Sequence, residues 1–186
     1  PFVEISDGHI TPHDKDCIDA TLYVDGKGQP WLVYVHEWTC TDAGIGRMDV
    51  AKLSDDLTHL ISAPVELFRA DSPAWTNKNV TDGCFVHTLS DGNLIMLWSN
   101  HEQDGYCIGI AHSKNGAVDG QWEHEKTPLY KRGILDHHDG GHGMIFADTD
   151  GKQYLCCHSP NQPCEECKER TVLLSVAERN GTLCIK

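Results

Sequence analysis

No run of about 18 apolar residues occurs in the chain, which excludes a membrane-spanning helix. Basic residues are scarce as well: Lys+Arg number 15 against 28 Asp+Glu, a formal charge of −13. A surface of that sign repels phosphate backbones, and no basic stripe offsets it, which argues against nucleic acid as a partner. Few windows carry a 3.6-residue apolar period, so helices are not expected to build the fold. The chain opens PFVEISDGHI, without an initiator Met or a signal-peptide pattern. A processed or trimmed chain, or an incomplete gene product, is the expectation.

Cysteine is abundant by contrast, with nine in 186 residues: Cys17, Cys40, Cys84, Cys107, Cys156, Cys157, Cys164, Cys167 and Cys184. Several fall inside apolar runs (DGCFV, GYCIGI, QYLCCHS), where a reduced cysteine acts as a small hydrophobe. A secreted disulfide framework normally pairs an even number at loop positions of a much shorter chain. A reducing, cytoplasmic setting is therefore expected. The length suits one domain, or a piece of one, with a real core.

Strand-like runs dominate: ATLYV, PWLVYVHEW, GIGRMDVAKL, CFVHTL, LIMLWS, CIGIAHS, GMIFAD, QYLCCHS and TVLLSVAE. Rich in β-branched and aromatic residues and separated by Gly-Asp-Asn turns, they read as an all-β chain. Three segments align, each with a strand, a Gly turn, an aromatic strand, a loop, a third strand and a short fourth one. The fourth strands are read as PVELF, TPLY and TLCIK. Asp19, Asp82 and His142 lead the units at separations of 63 and 60, and Gly28, Gly92 and Gly151 follow them by 9, 10 and 9. Four antiparallel strands at a fixed period are the signature of a β-propeller blade, with an ordinary β-sandwich as the alternative. Blades are placed at 17–70, 80–131 and 140–186. The first strand of a blade lines the channel, so Asp19, Asp82 and His142 should converge on one axis. In DHHDGGHGMIF (136–146), the glycines let the third blade's backbone crowd that axis.

The segments CIDATLYVDGKGQPWLVYVHEW, VTDGCFVHTLSDGNLIMLWS and GGHGMIF…HSPN, in this order and spacing, resemble the C-terminal three blades of glycoside hydrolase family 43, a five-bladed β-propeller. The resemblance implies inverting hydrolysis of arabinosides, xylosides or galactosides. Such chemistry uses an acid and a base about 6.5–9.5 Å apart, and the family adds a carboxylate that raises the acid's pKa. By resemblance Asp19 is that modulator. Asp82 in TDGCF stands at the acid's position, with Asp in place of Glu and Cys84 in place of Pro. Glu37 in VHEW is a second candidate acid. His142 matches the channel histidine that in many members lies beside a calcium or another ion held mainly by water, and is expected as a metal ligand or as a structural histidine bonded to channel waters. The family's base belongs to a blade that precedes this sequence. His36, Trp38, Arg47 and Trp75 are candidate carbohydrate contacts, while Trp31 and Trp98 are expected to fill blade interfaces.

Other clusters read more plainly. His137, His138 and Asp139 are expected in a solvent loop, with metal binding as the alternative. The Cys164-x-x-Cys167 pair near Cys156, Cys157 and His158 reads as a polar loop, with zinc or a redox pair as alternatives. Three blades leave open edges, so self-association or a longer parent chain is expected. A non-catalytic carbohydrate-binding or assembly module and a zinc-dependent interaction domain are the competing functions.

Overall fold

The computed structural model describes residues 2–186. Among these the only helical element is a three-residue 3-10 turn, Trp38–Cys40. Everything else that is regular is antiparallel sheet. The first sheet contains β1 (Cys17–Val24), β2 (Pro30–His36), β3 (Arg47–Lys52) and β4 (Val65–Arg69). The second contains β5 (Asp82–Thr88), β6 (Leu94–Glu102), β7 (Gly105–Ser113) and β8 (Trp122–His124). The third contains β9 (Gly141–Ala147), β10 (Gln153–Ser159), β11 (Arg170–Arg179) and β12 (Thr182–Ile185). In each, neighbours in sequence are neighbours in space.

One turn design closes the first hairpin of all three sheets. Gly28 donates its N–H to the Asp25 carbonyl, Gly92 to Leu89 and Gly151 to Asp148. These glycines have φ of 83°, 85° and 77°, a left-handed conformation that costs glycine nothing. An aspartate side chain accepts a nearby N–H in every case: Asp25 from Lys27, Asp91 from Asn93 and Asp148 from Asp150.

The middle sheet explains the continuous apolar run LIMLWS. Successive side chains of a strand point to opposite faces. Leu94, Met96 and Trp98 of β6 pack towards the first sheet, against Trp31, Val33, Val35, Met48 and Val50. Ile95 and Leu97 pack the other way, against Ile145, Leu155, Cys157, Val172 and Val176. A strand buried on both faces has no polar alternation to show. Trp98 is fully buried, with ring centroids 5.1 Å from Phe68 and 5.3 Å from both Trp75 and His124. Trp31 and Trp98 thus fill the interface between the first two sheets.

The outer faces of the end sheets differ. β1 alternates half-buried and exposed residues, leaving Ile18, Leu22 and Val24 at 36%, 51% and 53% exposure. On the third sheet Met144, Phe146 and Leu173 are likewise exposed. The N-terminal segment and the loop after β3 cover part of the first sheet, where Ile10, Leu57 and Leu60 pack on Leu32, Tyr34 and Leu53.

Two details depart from the sequence reading. The fourth strand of the second sheet is Trp122–His124 rather than TPLY, and Tyr130 makes only a single bridge to Ile108. Pro128 lacks the N–H that a continuing ladder needs. Asp139, expected in solvent, is buried at 5% exposure. Its carboxylate accepts the N–H of Tyr106 at 3.0 Å and of Asn161 at 3.1 Å, joining the second and third sheets.

Trp98→Ala should lower unfolding free energy by about 3–5 kcal/mol in denaturant titrations, because it empties the interface between two sheets. Leu173→Ala, on the exposed face, should change it by less than about 0.5 kcal/mol. Equal effects would refute this division of the sheets.

Candidate active site

Each sheet's first strand is interrupted near its start. The register slips between Ile18 and Thr21, between Asp82 and Phe85, and on β10 between Cys156 and His158, opposite Met144 and Gly141. Within each bulge one residue is left-handed: Asp19 (φ 54°), Gly83 (φ 57°) and His142 (φ 54°). Asp and His are among the residues that tolerate this region.

These bulges correct the repeat. Asp82 is not the equivalent of Asp19 and His142; Gly83 is, and Asp82 precedes it. Taken from the left-handed residue, the hairpin glycine lies nine positions downstream in all three sheets. The lone spacing of ten, from Asp82 to Gly92, marks the offset.

The three bulges meet. Gly83 donates its N–H to Asp19 Oδ2 at 2.9 Å, and the same oxygen lies 3.8 Å from His142 Nδ1. The His142 N–H donates to Ser99 Oγ at 2.8 Å. A Cβ on Gly83 would sit 2.9 Å from His142 Cα, so a side chain there would push the strands apart. Cys84 then closes the seam: its thiol donates to the carbonyls of Asp19 (3.1 Å) and Val33 (3.3 Å). Burial raises its pKa to about 12, so it is an inert filler rather than a nucleophile.

Asp82 sits one step from this contact, and its Oδ2 accepts the Tyr106 hydroxyl at 2.9 Å. Its pKa is raised to about 6, chiefly by burial. The Tyr106 hydrogen bond and His142 oppose the rise; the Asp19 and Glu37 charges add to it. Sequence reading missed Tyr106. Its own pKa is pushed up, first by burial and then by Asp82, so it stays a donor. The ring stacks on His158 at a centroid distance of 5.6 Å, and a Cβ on Gly141 would collide with it. The glycine of GGHG therefore makes room for the residue that holds Asp82.

The other candidates are more dispersed. Glu37 caps the 3-10 turn after β2, accepting the Thr39 N–H at 2.9 Å as well as the Thr39 hydroxyl. Trp38 is half-buried in that turn. His36 ends β2, buried, with its pKa lowered by that burial. It stands opposite Arg47 across the β2–β3 ladder, and Arg47 pairs with Glu66 at 3.0 Å. Trp75 points inward, packed on Trp98 and beneath Gly109, where a Cβ would overlap its ring. Its ring is thus packed against the blade core while the side chain stays partly exposed.

His142 offers a nitrogen, and its neighbour Asp19 an oxygen already bonded to Gly83. Calcium takes six to eight oxygen ligands, so this pair alone does not form a cage for it. Among the described residues, three or more metal-ligating side chains converge only at Asp136, His137 and His138.

The family model for glycosyl hydrolases family 43 matches residues 1–183. Among solved structures, an endo-arabinase from Bacteroides thetaiotaomicron VPI-5482 is 34% identical with a TM-score of 0.86, the match covering 97% of this chain and 63% of that one. An endo-1,4-beta-xylanase from the same organism is 22% identical with a TM-score of 0.76, covering 92% and 59%. An alpha-L-arabinofuranosidase from Lactobacillus brevis is 19% identical with a TM-score of 0.73, covering 94% and 57%. None of the curated proteins compared matches the chain. The chain belongs to glycosyl hydrolases family 43, with the all-β, propeller-type blades of that family, and spans 63% of the endo-arabinase's length.

The pKa of Asp82 has a stability consequence of definite sign. Its folded value, about 6, lies above the ordinary 3.8, so the fold resists ionising it. The penalty is absent below the ordinary value, grows as pH rises between the two, and is complete above the higher one, at up to about 3 kcal/mol. Asp82→Asn should therefore raise Tm at pH 7.5 and raise it progressively less as pH falls towards 4.5. A gain independent of pH would show that Asp82 is not held protonated by the fold.

Proposed function

We propose that this family 43 chain forms the acid side of an inverting glycosidase site that acts on arabinose- or xylose-containing glycans. The observation that carries the reading is the state of Asp82. A carboxyl with a pKa of about 6 is half protonated near pH 6 and still about one tenth protonated at pH 7, far more than an ordinary aspartate, which suits it to proton donation in mildly acid to neutral solution. Asp82 would protonate the leaving glycosidic oxygen, with Tyr106 fixing the carboxyl's orientation.

Asp19 would act through its charge. Its carboxylate disfavours ionisation of Asp82, while the Gly83 N–H and His142 hold it in place. Asp82 is preferred to Glu37 because the Glu37 carboxylate is occupied by Thr39. His36, Trp38 and Arg47, on or beside the turn that carries Glu37, are the proposed carbohydrate contacts. Any calcium in the channel would be held mainly by water, and no step here depends on it.

The base that activates water would come from outside the three sheets. The endo-arabinase extends well beyond the matched portion, which leaves room for such a group. The alternative reading is a carbohydrate-binding module without turnover. The arabinase and xylanase activities in the names of the similar structures support a pentose-rich glycan as the ligand in either case.

Hydrolysis of aryl arabinofuranosides and xylosides, alongside arabinan and xylan, tests the proposal. Asp82→Asn should lower kcat/KM by about 10²–10⁴-fold on glycans, and much less on aryl glycosides whose leaving group needs no proton. Equal losses on both classes would remove Asp82 from the acid role. Glycan binding without turnover in a protein that supplies the base together with these three sheets would establish the module instead.

A further inference from the structure

Two loops beside the third sheet carry metal-ligating groups that the proposed site does not use. Asp136, His137 and His138 each present one donor atom, and these three atoms lie within 4.8 Å of one another. The two imidazole centroids are 4.0 Å apart. Asp136 Oδ1 accepts the His138 N–H at 2.8 Å, which pins the carboxylate beside the rings. That bond also holds its pKa below the ordinary value.

The facing loop supplies sulfur. Cys164 donates its N–H to the Cys167 carbonyl at 2.9 Å, closing the CxxC turn. Arg170, which opens β11, joins the two loops. Its Nη1 donates to Cys167 Sγ at 3.2 Å and its Nη2 lies 3.5 Å from Asp136 Oδ2. A thiol and a carboxylate from different loops thus face one shared cation. The Arg170 side chain is 48% exposed, so it can swing into water without breaking the core.

We propose that Asp136, His137, His138 and Cys167 form a site for a divalent transition metal of the zinc class, with Arg170 displaced outward on binding. The donors choose the metal. Imidazole and thiolate suit zinc and its neighbours, whereas calcium and magnesium need oxygen throughout. Four protein ligands leave no open position, so the metal's role is structural. Zinc–ligand bonds of about 2.0–2.3 Å require the three clustered donor atoms to draw in by roughly 1 Å, and Cys167 Sγ, which lies outside that cluster, to move further as Arg170 leaves; both loops are exposed enough to allow it. The metal would clasp the loop containing Asp139 to the loop containing Asn161, which their hydrogen bond already joins at 3.1 Å. The inference does not rest on the glycosidase reading.

The test uses the full reduced, metal-free chain titrated with Co²⁺ and then with Zn²⁺. One equivalent of Co²⁺ should give visible d–d bands and a near-ultraviolet thiolate charge-transfer band, both removed by Zn²⁺. Loss of even an outer-shell partner costs about 10–100-fold in metal affinity, so His137→Ala and His138→Ala should each weaken binding at least that much. Cys167→Ser should abolish the thiolate band, while His142→Ala should leave spectrum and affinity unchanged. Absence of a saturable equivalent or of the thiolate band in the unaltered chain would overturn the proposal, whatever the variants do. A band that survives Cys167→Ser, or an affinity untouched in both histidine variants, would overturn the ligand assignment.

Discussion

The hydrogen bond from the Gly83 N–H to the Asp19 carboxylate is the constraint around which this molecule is arranged. It links two sheets at the bulged starts of their first strands, and His142 from the third sheet lies against the same oxygen. Sheets that share only apolar faces can slide, since side-chain packing is weakly directional. A charged acceptor bonded to a backbone donor fixes their register at one point. The left-handed bulges make that bond geometrically available, because each turns a strand's backbone towards the common centre.

From that point the electrostatics of the site follow. Drawing three strand starts together removes Asp82 from water and sets it near a second carboxylate, and both effects disfavour its charge. Tyr106 works against them, and the balance is a pKa of about 6. The fold therefore carries an acidic group in a state that is unfavourable for stability but suited to proton donation. Sites that oppose local stability in this way are where function is generally found. Cys84 belongs to the same arrangement as a small buried group whose single S–H is shared between two carbonyls at the seam.

Much of this was legible in the sequence. The period of about sixty residues, the Gly turns and the double-faced run LIMLWS reflect backbone and burial constraints that act locally. The convergence of Asp19 and His142 was legible because both occupy the same left-handed position of a repeated strand. The register of Asp82 was not, because a bulge adds a residue without altering the apolar alternation on either side. Its only trace was a turn spacing of ten where the other units have nine. Tyr106, Asp139 and the inward packing of Trp75 depend on contacts between sheets, which no local pattern encodes. The exposed faces of β1 and the third sheet likewise emerge only when the sheets are assembled.

The most direct measurement is the carboxyl ¹³C titration of Asp82 in the folded chain, with Tyr106→Phe as its companion. The account predicts a midpoint near 6 in the unaltered protein, moving upward when the tyrosine hydroxyl is removed. A midpoint in the ordinary aspartate range, unmoved by the loss of that hydroxyl, would contradict the claim that the converging strands create a proton donor.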